Sequence, residues 1–365
     1  MTKASESSNL DLLRSIAVLS VLAAHLMVFL GEPTLWRFTP RPLGGLGVLL
    51  FFVHTCLVLM FSLERQERKY GERMRFGIFM IRRIFRIYPL SVSVVLAIIA
   101  FRIPSTRLYP GSMEFLEMPW RGYAANLLLM QNVTGTKSIL GPLWSLPFEI
   151  QMYVLLPLLF VLIRKVRSLW LLLVVWALAV VPALLEERVP GMRLAAYLPC
   201  FLPGVFAYWI SSRKPATWPA AAWPALILVL VLSYTAFPHP LSGMAVCLVT
   251  GLTVTRFRET STAWMRRAAH LVAKYSYGIY LSHYFAIWTA FGVLKDHPLA
   301  VRVAAFVVLA TGLPVLMYHS IEAPMINTGT RLIDRFVGKH AIAPAAARTV
   351  APAVGPAVVS ESSPS

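Results

Sequence analysis

Acidic charge is scarce in this chain, which has 16 Asp and Glu against 34 Lys and Arg in 365 residues, and charged residues of both signs make up only 14%. Soluble domains carry roughly a quarter charged residues. With 58% hydrophobic residues and a mean hydropathy of +0.67, the composition excludes a soluble globular protein. Cysteine is scarcer still. Cys56, Cys200 and Cys247 all fall within or beside apolar segments with no pairing or metal-ligand spacing, so neither a disulfide framework nor a metal site is expected. The opening stretch MTKASESSN lacks an arginine-rich leader, and the first apolar segment runs past any small-residue cleavage site, so it reads as an uncleaved signal anchor. Similarity between the two halves, the mark of inverted-repeat transporters, is also missing.

What the chain does have is long apolar runs. Segments able to cross about 30 Å of hydrocarbon fall near 10–30, 43–63, 84–103, 143–163, 169–185, 194–211, 218–236, 240–256, 275–294 and 300–320. The expectation is an all-α polytopic integral membrane protein with about ten transmembrane helices. Prolines 182, 199, 203, 219, 224, 238 and 240 blur the boundaries of the fifth to eighth. The net charge of +18 is distributed by loop: 24 of the 34 basic residues lie at the two ends and in the even-numbered loops. The positive-inside rule therefore places both termini in the cytoplasm. The run between 64 and 86 serves topology and contact with anionic lipid rather than nucleic acid. Residues 1–9 read as a cytoplasmic tail, 10–325 as the membrane domain, and 326–365 as a largely disordered cytoplasmic tail whose end is rich in alanine, proline and valine.

Several polar residues interrupt these runs. Arg14 and His25 lie eleven residues apart in LDLLRSIAVLSVLAAHL, which puts them on one helix face with a rise of roughly 16 Å between them. Ionisable groups inside a span cost about 2.5–3.5 kcal/mol each on insertion scales, and by default they mark function. The third span opens RRIFRIYPL, where Arg83 and Arg86 share a face and, with Arg82, suit a multiply charged anion. The long external segment 104–142 ends in GPLWSLPFEIQ, a rigid entry that places Glu149 at the outer end of the fourth span. There it can orient a histidine, bind a substrate hydroxyl or pair with an arginine. KYSYGIYLSHYFAIW carries Tyr277, Tyr280 and Tyr284 on one stripe and Ser276 with His283 on another. Glu322 in YHSIEAP is expected to bridge to nearby arginines, while His54, His239 and His319 read as structural. On these residues alone, a secondary transporter or flippase, or a catalytically silent sensor, remains as open as an enzyme.

The order and spacing of these pieces resemble the membrane-bound acyltransferase 3 family of bacterial O-acyltransferases and O-acetyltransferases, over about residues 10–325. The resemblance rests on Arg14 and His25, on Arg83 and Arg86 in RRIFRIYP, on GPLWSL with Glu149, and on YSYGIYLSH with His283. It implies acyl-CoA, most commonly acetyl-CoA, as donor and a carbohydrate or glycolipid hydroxyl, such as that of a surface polysaccharide, as acceptor, at the inner membrane. Arg14, Arg83 and Arg86 would hold the donor, and His25, Glu149 and His283 would serve catalysis. His25 would act as base or transient acyl carrier, with Glu149 meeting the acceptor from outside. The chain departs from the family pattern at Thr55 and Cys56, Pro147, Ile150 and Ala323. No hydrolase-like domain is expected after the tenth helix, so the membrane domain or a separate partner would complete transfer.

Overall fold

Apolar runs of this length fold as helices because hydrocarbon offers no partner to a bare peptide group. The computed structural model describes residues 7–31, 40–72, 75–103, 113–185 and 193–341. The helices are α1 (Ser8–Phe29), α2 (Arg41–Tyr70), α3 (Arg75–Phe101), α4 (Trp120–Leu127), α5 (Gln131–Thr134), α6 (Leu146–Lys165), α7 (Leu169–Leu185), α8 (Arg193–Ser211), α9 (Ala222–Ala236), α10 (Pro240–Thr253), α11 (Ala263–Trp288), α12 (Leu299–Met317) and α13 (Ala323–Ala341). The protein is all-α. Among the described residues there is no β-strand, only an isolated bridge between Trp218 and Phe257.

Each of the ten expected segments falls on a helix. Six are long and apolar enough to span a bilayer: α1, α2, α3, the Gly141–Lys165 run, α8 and the continuous Leu299–Val337 run. The apolar helices Leu169–Leu185, Ala222–Ala236 and Pro240–Arg256 are shorter. Observed boundaries exceed the expected ones where polar turns continue an apolar helix. At the end of α2, Arg68 pairs with Glu64 one turn back at 2.6 Å, and Gly71 stops the helix at φ 81°. The tail expected to be largely disordered from 326 is instead helical to Ala341, because a wide turn at Tyr318–Glu322 carries α12 into α13 without a break. Residues 342–365 lie outside the described residues.

α2 is the hub, packing against α1, α3, α6, α8, α9 and α10. Lipid tails are as apolar as leucine, so close packing and interhelical hydrogen bonds hold such bundles together. Phe52 of α2 stacks on Phe201 of α8 at 4.0 Å between ring centroids. Gly47 lets α2 approach α1 so closely that an added Cβ would stand 2.5 Å from the Ala17 carbonyl oxygen. α1 lies between α2 and α11, and its first turn is clasped from across the chain. The Glu259 carboxylate accepts from the Ser7 and Ser8 hydroxyls at 2.7 and 2.8 Å and from the Asn9 backbone N–H at 3.1 Å. At the basic end of the bundle Glu67 joins Arg75 of α3 to Arg164 of α6, at 3.2 and 2.7 Å. α12 packs against α11 but leaves Val307, Val308 and Leu316 exposed, as a lipid-facing helix does.

The segment before α6 is folded rather than a bare connector. Asn126, fully buried, donates to the carbonyls of Gly122 and Lys137 and accepts from the Ile139 N–H. Gln131 donates to the Leu143 carbonyl at 3.0 Å, which seats a tight turn of helix, Gly141–Ser145, at the entrance to α6.

Candidate active site

α1 and α11 meet through two polar contacts between residues that the sequence places on one stripe of each helix. Arg14 donates from Nε to the Ser276 hydroxyl at 2.6 Å, and Nδ1 of His25 lies 3.0 Å from Nε2 of His283. Eleven residues on α1 thus match seven on α11. The Arg14 side chain spans the difference of about 6 Å in rise.

Arg14, Arg83, Arg86 and Glu149 line one cavity, enclosed by α1, α2, α3, α6 and α11, with about 720 Å³ of free space that is partly continuous with the outside. Its walls also carry His54, Thr55, Ser145, Tyr153, Tyr277 and Tyr280. Arg86 pairs with Glu322 at 3.2 Å, and the Glu322 carboxylate is fully buried. The Arg14 guanidinium lies 5.3 Å over the Phe51 ring, and that of Arg83 lies 5.9 Å over Phe79. Glu149 accepts from Thr55 at 3.2 Å and from Tyr153 at 3.0 Å, one bond to each carboxylate oxygen. Three guanidiniums therefore stand with two carboxylates, Glu149 on the cavity wall and Glu322 against Arg86. One positive charge is in excess, and a bound anion would balance it.

Glu149 was expected at the outer end of its helix, facing outside. It stands in the first turn of α6 as expected, yet is only 5% exposed, because Gly141–Ser145 and the segment before it fold over that turn. It belongs to the arginine cavity. Glu322 pairs with an arginine, as its position suggested.

His25 and His283 do not line this cavity but lie beside it. Tyr280 bridges the two places: it is on the cavity wall, and its ring centroid is 6.2 Å from that of His283. Its hydroxyl donates to the Pro142 carbonyl at 2.7 Å and so accepts from Ser145 at 2.8 Å, which pins the GPLWSL turn to α11. Gly141 makes that approach possible, since a Cβ there would stand 2.7 Å from the Tyr284 hydroxyl. Tyr284 in turn packs edge-on against His25 at 4.9 Å.

The hydrogen bonds also assign the protons of the histidine pair. Nδ1 of His283 faces the Ile279 carbonyl at 3.1 Å, and a carbonyl only accepts, so Nδ1 carries the hydrogen. Nε2 of neutral His283 is then an acceptor, and His25 donates to it from Nδ1. The basic lone pair of His25 is on Nε2. An imidazole oriented in this way by a second group is suited to general-base catalysis.

Sequence reading missed Tyr153, Tyr280 and Ser145 as parts of the site. The four-residue step from Glu149 to Tyr153 on α6 was a usable signal. Thr55, noted as a departure from the family pattern, is a Glu149 partner. His54, read as structural, lies on the cavity wall, whereas His239 caps α10 and His319 contacts the Tyr275 hydroxyl.

A multi-pass helical bundle with an anion-seeking cavity beside an oriented imidazole has the make-up of a membrane-embedded group-transfer enzyme. The chain belongs to the acyltransferase domain family acyltransferase 3, which matches residues 7–319, and is an acyltransferase. It is 29% identical over 315 residues to the acyltransferase MdmB of Streptomyces mycarofaciens, covering 75% of this chain and 77% of that protein. It is 27% identical over 379 aligned positions to the putative peptidoglycan O-acetyltransferase YrhL of Bacillus subtilis (strain 168). That alignment covers 91% of this chain but 57% of the relative, so the chain spans little more than half of YrhL. No solved structure matches the chain significantly. Family membership sets aside the transporter and sensor readings.

Proposed function

We propose that the protein transfers an acyl group, acetyl in the first instance, from acyl-CoA to a hydroxyl of a carbohydrate-containing acceptor. The excess positive charge of the cavity carries this reading: Arg14, Arg83 and Arg86 outnumber Glu149 and Glu322, and planar guanidiniums hold phosphate oxygens bidentately. The donor's phosphates occupy the arginine end, which the positive-inside bias assigns to the cytoplasm. Its thioester reaches toward His25. Nε2 of His25 takes the proton of the acceptor hydroxyl as that oxygen attacks the thioester carbonyl. The tetrahedral intermediate expels the thiolate, which recovers the proton, leaving an ester and free CoA. Tyr280 and Ser145 hold the GPLWSL turn against the cavity, and Glu149, held by Thr55 and Tyr153, balances the arginines. The protein works in the inner membrane, where its basic face meets anionic lipid rather than nucleic acid. The relative named as a putative peptidoglycan O-acetyltransferase supports an ester product on a glycan.

The test is incubation of membranes containing the protein with acetyl-CoA labelled in the acetyl group, followed by fractionation of glycans and lipids. Label enters a glycan-bearing fraction with the wild type and not with Arg83→Ala or His25→Ala. Full transfer by both variants would overturn the assignment.

A further inference from the structure

A second cleft opens at the end of the bundle opposite the basic face, and none of the residues discussed so far as donor or proton-transfer groups lines it. It is bounded by Gln131, Asn132, Thr136, Ser138, Trp144, Phe148, Arg193 and Tyr197, with about 560 Å³ of free space that is partly continuous with the outside. Its floor is aromatic. Tyr197 of α8 lies 5.4 Å from Trp144 and 4.7 Å from Phe148 between ring centroids, and Trp144 lies 6.1 Å from Phe148. Its rim is neutral and polar, with two carboxamides and two hydroxyls, and Arg193 is the one cation lining it.

The polar groups are positioned and incompletely used. Asn132 accepts from Gln151 at 3.1 Å through Oδ1, so its Nδ2 hydrogens point elsewhere. Gln131 is 2% exposed, and its Nε2 is held by Leu143 and Ser138, while its Oε1 has no hydrogen-bond partner among the described residues. That oxygen is closed to solvent, so the polar groups open to a ligand are those of the rim, at Asn132, Thr136 and Ser138.

We propose that this cleft binds one sugar ring of the acceptor, a proposal that rests on the acyl-transfer reading above. A pyranose has an apolar C–H face and a rim of hydroxyls. The cleft has the complement of both: aromatic faces for stacking, and amide, hydroxyl and guanidinium groups for the rim. A phosphate would call for more than one cation, and an acyl chain for none of the amides. The cleft shares a wall with the donor cavity. Trp144 and Phe148 line the cleft, while their neighbours Ser145 and Glu149 line the cavity, so a single turn of chain separates the two spaces.

The experiment uses the full chain in lipid nanodiscs with two soluble probes, maltotetraose and N-acetylchitotetraose, and glycerol as a control. Tryptophan emission of the wild type changes saturably with at least one tetrasaccharide and not with glycerol. The change is lost in Trp144→Ala and weakened at least tenfold in Asn132→Ala, whose unfolding temperature serves as the folding check. In label transfer, Trp144→Phe and Asn132→Ala raise the acceptor KM while leaving the acetyl-CoA KM unchanged. If neither tetrasaccharide alters the emission, or if transfer proceeds with an unaltered acceptor KM in Asn132→Ala, the cleft is not the acceptor site and acyl transfer still stands. If sugars bind at Trp144 but no label is ever transferred, the site stands and the reaction falls.

Discussion

Nδ1 of His25 on α1 and Nε2 of His283 on α11 are 3.0 Å apart, joining two helices through residues 258 positions apart in the chain. The Ile279 carbonyl fixes the His283 tautomer, and His283 fixes that of His25. In the proposed mechanism His283 is a positioning residue, whose loss would leave the base in place but misdirected. His283→Ala is expected to lower kcat by about 100-fold or more with the acetyl-CoA KM little changed, within the span typical of acid-base groups. Because the two act as a unit, His25→Ala with His283→Ala should be no slower than His25→Ala alone. Initial rates of label transfer decide it, and a wild-type rate for His283→Ala would refute the role.

Arg86 and Glu322 make an asymmetric pair, with the Arg86 side chain one quarter exposed and the Glu322 carboxylate not exposed at all. Removing the arginine strands a buried charge. Arg86→Ala is expected to destabilise the fold by up to about 3 kcal/mol, the low end of the range for breaking a buried pair. Glu322→Gln should be milder, since it removes the charge that needs a partner. Thermal unfolding in detergent gives the order. Equal melting temperatures for the two variants would contradict it.

Glu149 holds its place through two hydroxyls. Tyr153→Phe and Thr55→Val each remove one hydrogen bond to a carboxylate, worth about 1.5–3 kcal/mol for a charged group. Each is expected to cut kcat/KM roughly tenfold, and the pair together should approach Glu149→Ala. Steady-state kinetics on the double variant check this, and full activity there would remove Glu149 from the site.

Gly141 is needed for space rather than for backbone freedom. Gly141→Ala places a methyl group 2.7 Å from the Tyr284 hydroxyl, and Tyr284 packs on His25. Activity should fall while the helical circular dichroism is retained. Tyr284→Phe in the same chain, which removes the clashing oxygen, should restore part of the lost rate. No rescue would mean that the GPLWSL turn acts by another route.

The helices were legible because each apolar run carries its own length signal. Their ends were less so: polar turns such as Glu64–Arg68 extend a helix beyond hydrocarbon, and composition does not register that. Arg14 with His25 and Ser276 with His283 were readable as two stripes. Their pairing was not, because nothing within α1 identifies α11 as its neighbour. Glu149 illustrates the same limit from the other side: its position at a helix start was plain, but its burial depends on the turn at Gly141–Ser145 and on the Gln131 and Asn126 bonds that seat it. The cleft at Trp144 gathers residues from α5, the loop after it, the GPLWSL turn, α6 and α8, and no local pattern links them.

The contacts of α1 have a consequence for how the protein is made. Ser276, His283 and Glu259, the partners of Arg14, His25 and the first turn, are all encoded about 250 residues after it. At roughly 5–20 residues per second, synthesis leaves the first helix without them for about 10–50 s. During that interval an arginine and a histidine stand in or beside the bilayer with none of these contacts. Assembly of the site is thus a late event in biogenesis, and a nascent chain arrested before α11 would hold an inserted but unclosed bundle.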